Sequence, residues 1–430
     1  MNYYSLNHKA PNTTFKNAVI KGLAPDKGLY FPESITPLPA SFFENIDDLS
    51  YNDIAFQALQ QFVSPDIPEA ILKTIIEETL TFDFPVIKLN DSISTLELFH
   101  GPTMAFKDVG ARFMARCLGY FNQNNTNEVT VLVATSGDTG GAVANGFLGV
   151  KGVNVVILYP SGKVSDIQEK QLTTLGKNIK ALEVDGVFDD CQDMVKRAFL
   201  DEVLTSKMQL TSANSINVAR WLPQLLYFMF AYKQLHNKHK NIVFSVPSGN
   251  FGNVCAGMMA QQLGLPIKHF IASNNQNNVV TNYLKTEEYN PKPSVQTISN
   301  AMDVGNPSNF IRIQEIYKNN FDNLKNNLSS YSFTDDQTKV ALKEIHDQYK
   351  YVADPHGAVG YLGCKAYLKE HPNAHCVFLE TAHPTKFLDV VEEVIKEKQL
   401  LPTQIQAVMG KDKVATKISD YEELKAFLLA

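Results

Sequence analysis

Lys107 is the residue whose surroundings best suit covalent chemistry. It follows the largely apolar stretch Leu98–Phe106 and stands where a helix is predicted to begin. Apolar residues recur at every fourth position after it, at Val109, Phe113, Cys117 and Phe121. A lysine partly removed from water has a lowered pKa, so its neutral amine can form an imine with a carbonyl group. Most single lysines are solvated surface residues, so this interpretation needs support from other residues.

A second candidate is the turn Ser248-Gly249-Asn250-Phe251-Gly252-Asn253, which lies between a hydrophobic segment and a predicted helix. Its glycines let the backbone approach an anion, and amide groups at a helix start bind phosphate. The turn lacks the Gly-Lys-Ser/Thr of a P-loop and the G-x-G-x-x-G spacing of a dinucleotide site. It therefore indicates either a phosphate-bearing cofactor or an ordinary turn that caps a helix.

Two further turns lie where a ligand could bind. Thr135-Ser136-Gly137-Asp138-Thr139 again brings hydroxyl and amide groups to a predicted helix start, which suits a carboxylate or a phosphate. Glu380-Thr381-Ala382-His383-Pro384 follows the last predicted strand, where ligands of open α/β sheets usually lie. An imine-forming lysine and two anion-binding turns at strand ends together fit one phosphate-bearing cofactor and an amino-acid substrate.

The elements that must position these turns alternate between short β-branched runs and amphipathic stretches. This alternation predicts βα units around mostly parallel sheets. After the turn at residues 135–141, a helix is expected to begin near Ala142, and another helix is expected to begin at Ser165. The predicted strands are Val129–Ala134, Val153–Tyr159, Ile179–Val184, Ile242–Val246, Ile267–Ala272 and Cys376–Leu379.

Composition argues against several classes of protein. The chain has 430 residues, 44% of them hydrophobic, and a formal net charge of -6, which disfavours nucleic-acid binding. We find no signal peptide and no apolar run of about 20 residues, so no membrane span is expected. The five cysteines contain no C-x-x-C pair and are typical of a reduced, cytoplasmic protein. Pro372 lies between His371 and His375, so no metal site is expected there.

The chain resembles the threonine synthase family, a branch of the fold-type II pyridoxal-phosphate enzymes. The resemblance runs along nearly the whole chain. It includes segments near the start, Gly22-Leu23-Ala24 and Gly28-Leu29-Tyr30-Phe31-Pro32. Its other segments are His100–Asp108, Ala134–Gly140, Ser212–Asn217, Ser248–Gly252, Asn300–Val304 and Thr381–Pro384.

The resemblance implies a fold-type II, tryptophan synthase β-like architecture. Two open, twisted and mostly parallel α/β domains are expected to hold the cofactor in the cleft between them. We expect an N-terminal subdomain at 1–95 and a smaller α/β domain at 96–220 with Lys107 and the substrate loop. The larger α/β domain at 221–430 is expected to carry the cofactor phosphate loop.

The resemblance also implies an activity. It is the conversion of O-phospho-L-homoserine and water to L-threonine and phosphate, the last step of threonine biosynthesis, by a carbon–oxygen lyase acting on phosphates. Lys107 matches the lysine that binds pyridoxal 5′-phosphate as an imine and then moves protons at the substrate. The cofactor supplies the electron sink, and the protein supplies orientation and electrostatics.

The family's site residues transfer position by position. Gly249, Asn250, Phe251 and Asn253 match the loop that binds the cofactor phosphate. Thr381 matches the hydroxyl residue facing the pyridine nitrogen, and Asp138 stands where many relatives have asparagine near the cofactor's ring oxygen. The substrate carboxylate is assigned to the loop with Thr135, Ser136 and Thr139. The substrate phosphate is assigned to Asn214, Asn217, Arg220 and Lys386, since an arginine can grip a phosphate with two hydrogen bonds.

Three alternatives stay open at this point. The nearest is another pyridoxal-phosphate lyase, such as a serine or threonine dehydratase or a phospholyase. A non-catalytic paralogue that binds a phosphorylated metabolite is disfavoured, because binding alone needs no imine-forming lysine. A nicotinamide oxidoreductase has the wrong glycine spacing. Relatives with this long N-terminal segment imply a monomer.

Overall fold

Three β-sheets organise the chain, whose computed structural model describes residues 1–123 and 128–430. The first sheet lies near the N terminus, and its antiparallel strands have the order β2-β1-β3. These strands are β1 (Asn2–Ser5), β2 (Thr13–Thr14) and β3 (Tyr30–Pro32). The helices around this sheet are α1 (Phe15–Lys21), α2 (Ala40–Glu44), α3 (Tyr51–Val63) and α4 (Glu69–Thr79).

The second sheet has five strands in the order β14-β8-β7-β6-β9, all of them parallel. They are β6 (Val129–Ala134), β7 (Val153–Pro160), β8 (Ile179–Val184), β9 (Gln209–Ser212) and β14 (Thr416–Ile418). The helices of the same segments are α5 (Lys107–Asn122), α6 (Asp138–Phe147), α7 (Asp166–Thr173), α8 (Phe188–Leu200), α9 (Glu202–Lys207), α19 (Thr403–Met409) and α20 (Tyr421–Leu429).

The third sheet has six strands in the order β12-β11-β10-β13-β5-β4, and only β4 is antiparallel to its neighbour. Its strands are β4 (Val86–Lys88), β5 (Ile93–Glu97), β10 (Ile242–Pro247), β11 (His269–Asn274), β12 (Leu328–Ser332) and β13 (His375–Glu380). The remaining helices are α10 (Val218–Trp221), α11 (Leu225–Leu235), α12 (Gly252–Gln262), α13 (Val279–Thr286), α14 (Phe310–Ile316), α15 (Phe321–Asn327), α16 (Asp335–Tyr349), α17 (Pro355–Leu368) and α18 (Leu388–Ile395).

The central strands of the larger sheet are buried along their whole length. Every residue of β10, β11 and β13 is buried, as expected for parallel strands covered by helices on both faces. Helices α12 and α17 contact these strands. The carboxyl ends of β10 and β13 are therefore fixed in the core, and the turns that follow them start from rigid positions.

The predicted mixed α/β architecture with parallel sheets is confirmed, with one error in a helix start. Helix α6 begins at Asp138 and not near Ala142, because Gly137 adopts a positive φ of 137° and ends the turn early. Gly140 lies inside the helix against Thr135, where a Cβ would come within 2.5 Å of Thr135 Cγ2. The glycines that indicated a longer turn thus serve close packing within the helix.

The predicted domain limits do not match the strand pairing at two places. Strand β5 crosses the predicted limit between residues 95 and 96 and pairs with β13 of the six-stranded sheet. Strand β14 lies within the segment predicted for the larger domain, yet it pairs with β8 of the five-stranded sheet. The limits otherwise stay a prediction. Within residues 1–123 and 128–430, none of the helices has the length and apolar character needed to cross a bilayer.

Candidate active site

A cavity of about 410 Å³ lies between the carboxyl ends of β6 and β10. Most of the residues predicted to form the site line this cavity. They are Lys107, Thr135, Ser136, Thr139, Asn214, Arg220, Gly249, Asn250, Phe251, Asn253 and Thr381. Asp138, Asn217 and Lys386 do not line it.

Lys107 is placed in the cavity by contacts between the start of α5 and the segment after β13. Ala105 forms a β-bridge with Ala382, and the amide of Phe106 donates to the carbonyl of Thr381 at 2.8 Å. These contacts bring Lys107 and Thr381 to the same wall. Burial lowers the pKa of Lys107, Lys386 and Arg220 lower it further, and Asp138 opposes them. The amine is thus shifted toward its neutral, nucleophilic form.

The turn after β10 presents the start of a helix to the cavity. Phe251 caps α12 in the left-handed conformation, with a φ of 61°, and the helix begins at Gly252. The first amide groups of a helix have no intrahelical acceptor. The side-chain nitrogen and oxygen of Asn253 are both buried without a hydrogen-bond partner among the described residues. This arrangement can bind an anion through amide groups and one asparagine side chain.

Asn250 has a second role in holding this turn. Its side-chain oxygen accepts from the amide and the hydroxyl of Ser308, each at 3.2 Å. Its backbone carbonyl accepts from the amide of Asn309 at 3.1 Å. The segment at 308–309 therefore fixes the phosphate-loop backbone from outside the cavity.

Lys386 and Asp138 form a buried ion pair behind the cavity wall. The ammonium of Lys386 lies 2.6 Å from Asp138 Oδ1 and donates to the carbonyl of Thr103 at 2.8 Å. Gln168 Nε2 donates to the same Asp138 oxygen at 2.9 Å. Burial alone would raise the pKa of Asp138, but Lys386 and Lys107 outweigh it and hold that pKa well below its usual range. Asp138 is therefore ionised at neutral pH.

Asn217, at the end of the segment before α10, has a structural role. Asn217 is fully buried, and its side-chain nitrogen donates to the carbonyls of Val19 and Ser212 at 2.8 and 3.1 Å. Its side-chain oxygen caps α10 by accepting from the amide of Ala219 at 3.0 Å. These contacts occupy the Asn217 side chain, so the structure does not bring it to the predicted phosphate position.

Arg220 lines the cavity and does not use all of its hydrogen-bonding capacity within the described residues. It is buried, one guanidinium nitrogen donates to the carbonyl of Ala213, and its Nε–H has no partner among the described residues. Burial lowers the pKa of Arg220 to about 10, which still leaves the group charged at neutral pH. A buried cation at a cavity wall favours an anionic ligand.

Several lining residues were not predicted as site residues. Ser215 lies inside the Ser212–Asn217 motif, so that motif could have indicated it. Lys163, Asp303 and His356 line the cavity from three other segments. Asp303 lies inside the Asn300–Val304 motif, so that motif could have indicated it. The positions of Lys163 and His356 depend on how distant parts of the chain pack, and no local pattern signals them. Within the described residues, no group of three or more histidine, cysteine, aspartate or glutamate side chains could hold a metal ion.

Comparison with known protein families covers almost the whole chain. The pyridoxal-phosphate dependent enzyme family matches residues 88–381. The threonine synthase N terminus matches residues 2–80, and the threonine synthase C-terminal region matches residues 357–428. All three matches agree with the resemblance seen in the sequence.

Individual relatives agree with these families. The chain is 43% identical over 436 residues to threonine synthase of Buchnera aphidicola subsp. Acyrthosiphon pisum, with 100% of both chains covered. It is 41% identical over 406 residues to the Escherichia coli (strain K12) threonine synthase, with 94% of each chain covered.

Solved structures show the same relationship. The crystal structure of Escherichia coli threonine synthase superposes with a TM-score of 0.93 at 38% identity, covering 100% of this chain and 99% of that one. The structure of pyridoxal-phosphate-bound threonine synthase from Brucella melitensis gives a TM-score of 0.92 at 32% identity, with 100% and 98% covered. The chain therefore belongs to the threonine synthase family of pyridoxal-phosphate-dependent enzymes.

Proposed function

We propose that this chain converts O-phospho-L-homoserine and water to L-threonine and inorganic phosphate in the cavity around Lys107. The observation that carries the proposal is Arg220, a buried cation that lines the same cavity as Lys107 and whose Nε–H has no partner among the described residues. A guanidinium group suits a phosphate leaving group, since it supplies several donors in a fixed plane. Family membership supports the same reaction.

The residues around the turn after β10 fit the phosphate of pyridoxal 5′-phosphate. The unpaired atoms of Asn253 and the free amide groups at the start of α12 need an anionic or polar ligand to compensate their burial. We assign Gly249, Asn250, Phe251 and Asn253 to this phosphate. Thr381 is assigned to the ring nitrogen, because it lies beside Lys107 and carries a neutral hydroxyl group.

Bound pyridoxal phosphate supplies an electron sink that stabilises negative charge at the substrate carbons. Lys107 takes the proton from the α-carbon and assists removal of a proton from the β-carbon. Its lowered pKa favours this role, since a base works best when its pKa is close to the working pH. Asp138 stays ionised near Lys107 and limits how far that pKa falls.

Arg220 holds the phosphate as its bond to the γ-carbon breaks. Water then adds its oxygen at the β-carbon, and protons return to the α- and γ-carbons. One carbon–oxygen bond is broken and one is formed, so the products are threonine and phosphate. Asn214 is assigned beside Arg220 because it also lines the cavity, with its side-chain nitrogen bonded to the carbonyl of Ala134 at 3.2 Å.

The loop at Thr135–Thr139 is assigned to the substrate carboxylate. The hydroxyl oxygen of Thr135 accepts from the amides of Gly137 and Gly140, at 2.9 and 2.8 Å. These bonds fold the loop so that Ser136 and Thr139 line the cavity at the start of α6. A helix start with hydroxyl groups is a suitable site for a carboxylate.

The test is a product analysis of the purified chain supplied with pyridoxal phosphate and O-phospho-L-homoserine. We expect threonine and phosphate in equal amounts, and a large loss of turnover in R220M. Phosphate released together with a keto acid and ammonia would contradict the proposal and identify a lyase of the dehydratase kind.

We also propose that the protein works as a monomer in the cytoplasm. The long N-terminal segment supports the first statement, through the family resemblance. The second is supported by its five cysteines, which are all free and buried. Sedimentation velocity over a range of concentrations tests the monomer, and a concentration-dependent increase in mass would contradict it.

A further inference from the structure

A buried aspartate–histidine pair lies at the start of α17, and its histidine lines the cavity. The Asp354 carboxylate caps this helix and accepts from the His356 amide at 2.6 Å. The same oxygen lies 2.6 Å from His356 Nδ1. A carboxylate only accepts, so the proton of the ring is on Nδ1 and Nε2 is left as an acceptor. The ring also packs against Phe387, with centroids 4.9 Å apart.

His356 uses Nε2 to bind a segment that is distant in the chain. The amide of Ala301 donates to His356 Nε2 at 3.2 Å. Ala301 belongs to the single helical turn Asn300–Met302, which lines the cavity. Asp354 could cap α17 without a histidine at position 356. The hydrogen bond to Ala301 is therefore a separate role of the His356 ring.

The turn held by His356 lies directly against the phosphate loop. A Cβ on Gly249 would come within 2.9 Å of the Ala301 carbonyl oxygen and 2.8 Å of Met302 Cα. The turn and the loop are thus in backbone contact without an intervening side chain. The position of Ala301 therefore determines where the Gly249 backbone can lie.

The far end of the turn has an independent anchor. The Asp303 carboxylate accepts from the amide and the hydroxyl of Thr297, at 2.9 and 2.7 Å, and from Asn275 at 2.8 Å. Loss of the His356 contact therefore leaves the segment attached at Asp303. The expected consequence is local loosening at residues 299–302 and not unfolding of the domain.

Glu380 completes the surroundings of the pair. The amide of Asp354 donates to Glu380 Oε2 at 3.2 Å, and Gly357 makes room for this carboxyl, since a Cβ there would lie 1.8 Å from Oε1. Burial, together with the neighbouring Asp354, raises the pKa of Glu380 well above its usual range. The Glu380 carboxyl is thus shifted toward its neutral form.

We propose that His356 is a positioning residue, whose Nε2 holds Ala301 and thereby keeps the turn 299–303 against Gly249 of the phosphate loop. This inference rests on the proposed cofactor site. Through that contact His356 tightens the binding of pyridoxal phosphate without itself touching the phosphate.

Two variants of His356 separate its two hydrogen bonds. In H356N the side-chain amide can still donate to Asp354, but it is too short to reach Ala301. In H356Q the side-chain oxygen reaches the place of Nε2 and can accept from Ala301. A third variant, A301P, removes the amide that donates to His356 and leaves the buried Asp354–His356 pair intact. Because it lies in a half-buried turn, this variant tests the contact even where a histidine variant does not fold.

The experiment compares these chains by hydrogen–deuterium exchange and by titration with pyridoxal phosphate. In H356N and A301P we expect faster exchange of peptides covering 299–303 and affinity for the cofactor about five- to tenfold weaker, the effect of one lost hydrogen bond. H356Q should keep both properties close to wild type. Thermal unfolding of each chain serves as the control for global stability.

Unchanged exchange and unchanged cofactor affinity in H356N and A301P would overturn the proposal. Equal defects in H356N and H356Q, with A301P like wild type, would overturn it as well, since the Ala301 contact would then be irrelevant. The hydrogen–deuterium exchange measurement does not require bound pyridoxal phosphate. A wild-type chain that binds no pyridoxal phosphate would therefore count against the proposed function and leave the exchange comparison as a separate result.

Discussion

At the residue scale, two lysines of the active-site region lie near one carboxylate, that of Asp138. Asp138 is ion-paired with the buried Lys386 and is close enough to Lys107 to affect its pKa. Removing one partner of a buried ion pair leaves an uncompensated charge, which is far more costly than losing an exposed pair. Asp138 is therefore expected to stabilise the fold and also to adjust the pKa of Lys107.

The first prediction is that D138N lowers the free energy of unfolding at pH 7 by about 3–5 kcal/mol, because Lys386 loses its counter-ion. Urea denaturation measures this loss. D193N, which changes an exposed carboxylate on α8, should change stability by less than about 0.5 kcal/mol. Similar stabilities of D138N and wild type would show that the ion pair contributes nothing.

The same pair has a defined dependence on pH. The folded chain depresses the pKa of Asp138 below the unfolded value of about 3.9, so its contribution is fully present above that value. The contribution is lost as the pH falls further and the carboxylate protonates. The difference in stability between wild type and D138N should therefore be constant from pH 7 to about 5 and shrink below about 4. A difference that grows on acidification would contradict this assignment.

Sequence patterns could locate the residues whose role is local. Lys107 is marked by the apolar periodicity of its helix, and Gly249 and Asn253 by a turn between strand and helix. Lys386 and Asn217 are different, because their partners, Asp138 and Val19, lie about 200 residues or more away in the chain. Nothing in the local sequence distinguishes a lysine that binds phosphate from one that neutralises a buried aspartate.

At the element scale, the cavity depends on close packing between α5 and α10. Gly110 of α5 lies against the backbone carbonyl of Arg220, and a Cβ at this position would come within 2.5 Å of that oxygen. These two elements carry Lys107 and Arg220. The absence of a side chain at Gly110 therefore sets the distance between the proposed proton carrier and the proposed phosphate ligand.

The second prediction concerns G110A. In an α-helix, alanine is favoured over glycine by about 1 kcal/mol. We nevertheless expect the free energy of unfolding to fall by about 1–3 kcal/mol, because the backbone of Arg220 cannot move away from the added Cβ without disturbing its packing. The KM for O-phospho-L-homoserine should rise several-fold in a steady-state assay.

G119A in the same helix is the matched control. Its Cβ would meet only the side chain of Val150, at 3.1 Å, so its stability and KM should stay near wild type. Equal behaviour of the two variants would show that helix propensity, and not the contact with Arg220, decides the outcome.

The strands that the sequence predicts are those with long runs of β-branched residues. Strands β6 and β8 have the predicted bounds. Strands β7 and β10 differ by one residue at one end, and β11 and β13 differ by one or two residues at both ends. The short strands β4, β12 and β14 were not predicted. Each has three to five residues, and their pairing with distant strands, such as β14 with β8, supplies the stabilisation that their local sequence lacks.

At the scale of the whole molecule, Arg312 joins the N-terminal sheet to the active site. It is fully buried, and its guanidinium donates to the carbonyls of Tyr30, Ser215 and Ile216, at 3.1, 3.2 and 2.7 Å. It also donates to Asn309 Oδ1 at 2.6 Å. One side chain thus links β3, the segment before α10 and the residue that holds Asn250. The N-terminal sheet is therefore part of the support of the cavity.

The third prediction is that R312K lowers the free energy of unfolding by about 2–4 kcal/mol, because a lysine cannot reach several carbonyl groups in one plane. Urea denaturation of the full chain measures the loss. R197K should cost less than about 1 kcal/mol. Arg197 is exposed, pairs with Glu422 at 3.8 Å and lies 4.0 Å over the Tyr421 ring, a contact that a lysine ammonium can also make. A stable R312K with wild-type KM would contradict this role of Arg312.

The central claim is that Lys107 carries pyridoxal phosphate in this cavity. Its most direct test is reduction of the purified, cofactor-loaded chain with borohydride, followed by peptide mass spectrometry. We expect a pyridoxyl group on Lys107 and none on Lys163 at the cavity wall or on the buried Lys386. A label on either of those lysines, or no label in a chain that makes threonine, would contradict it.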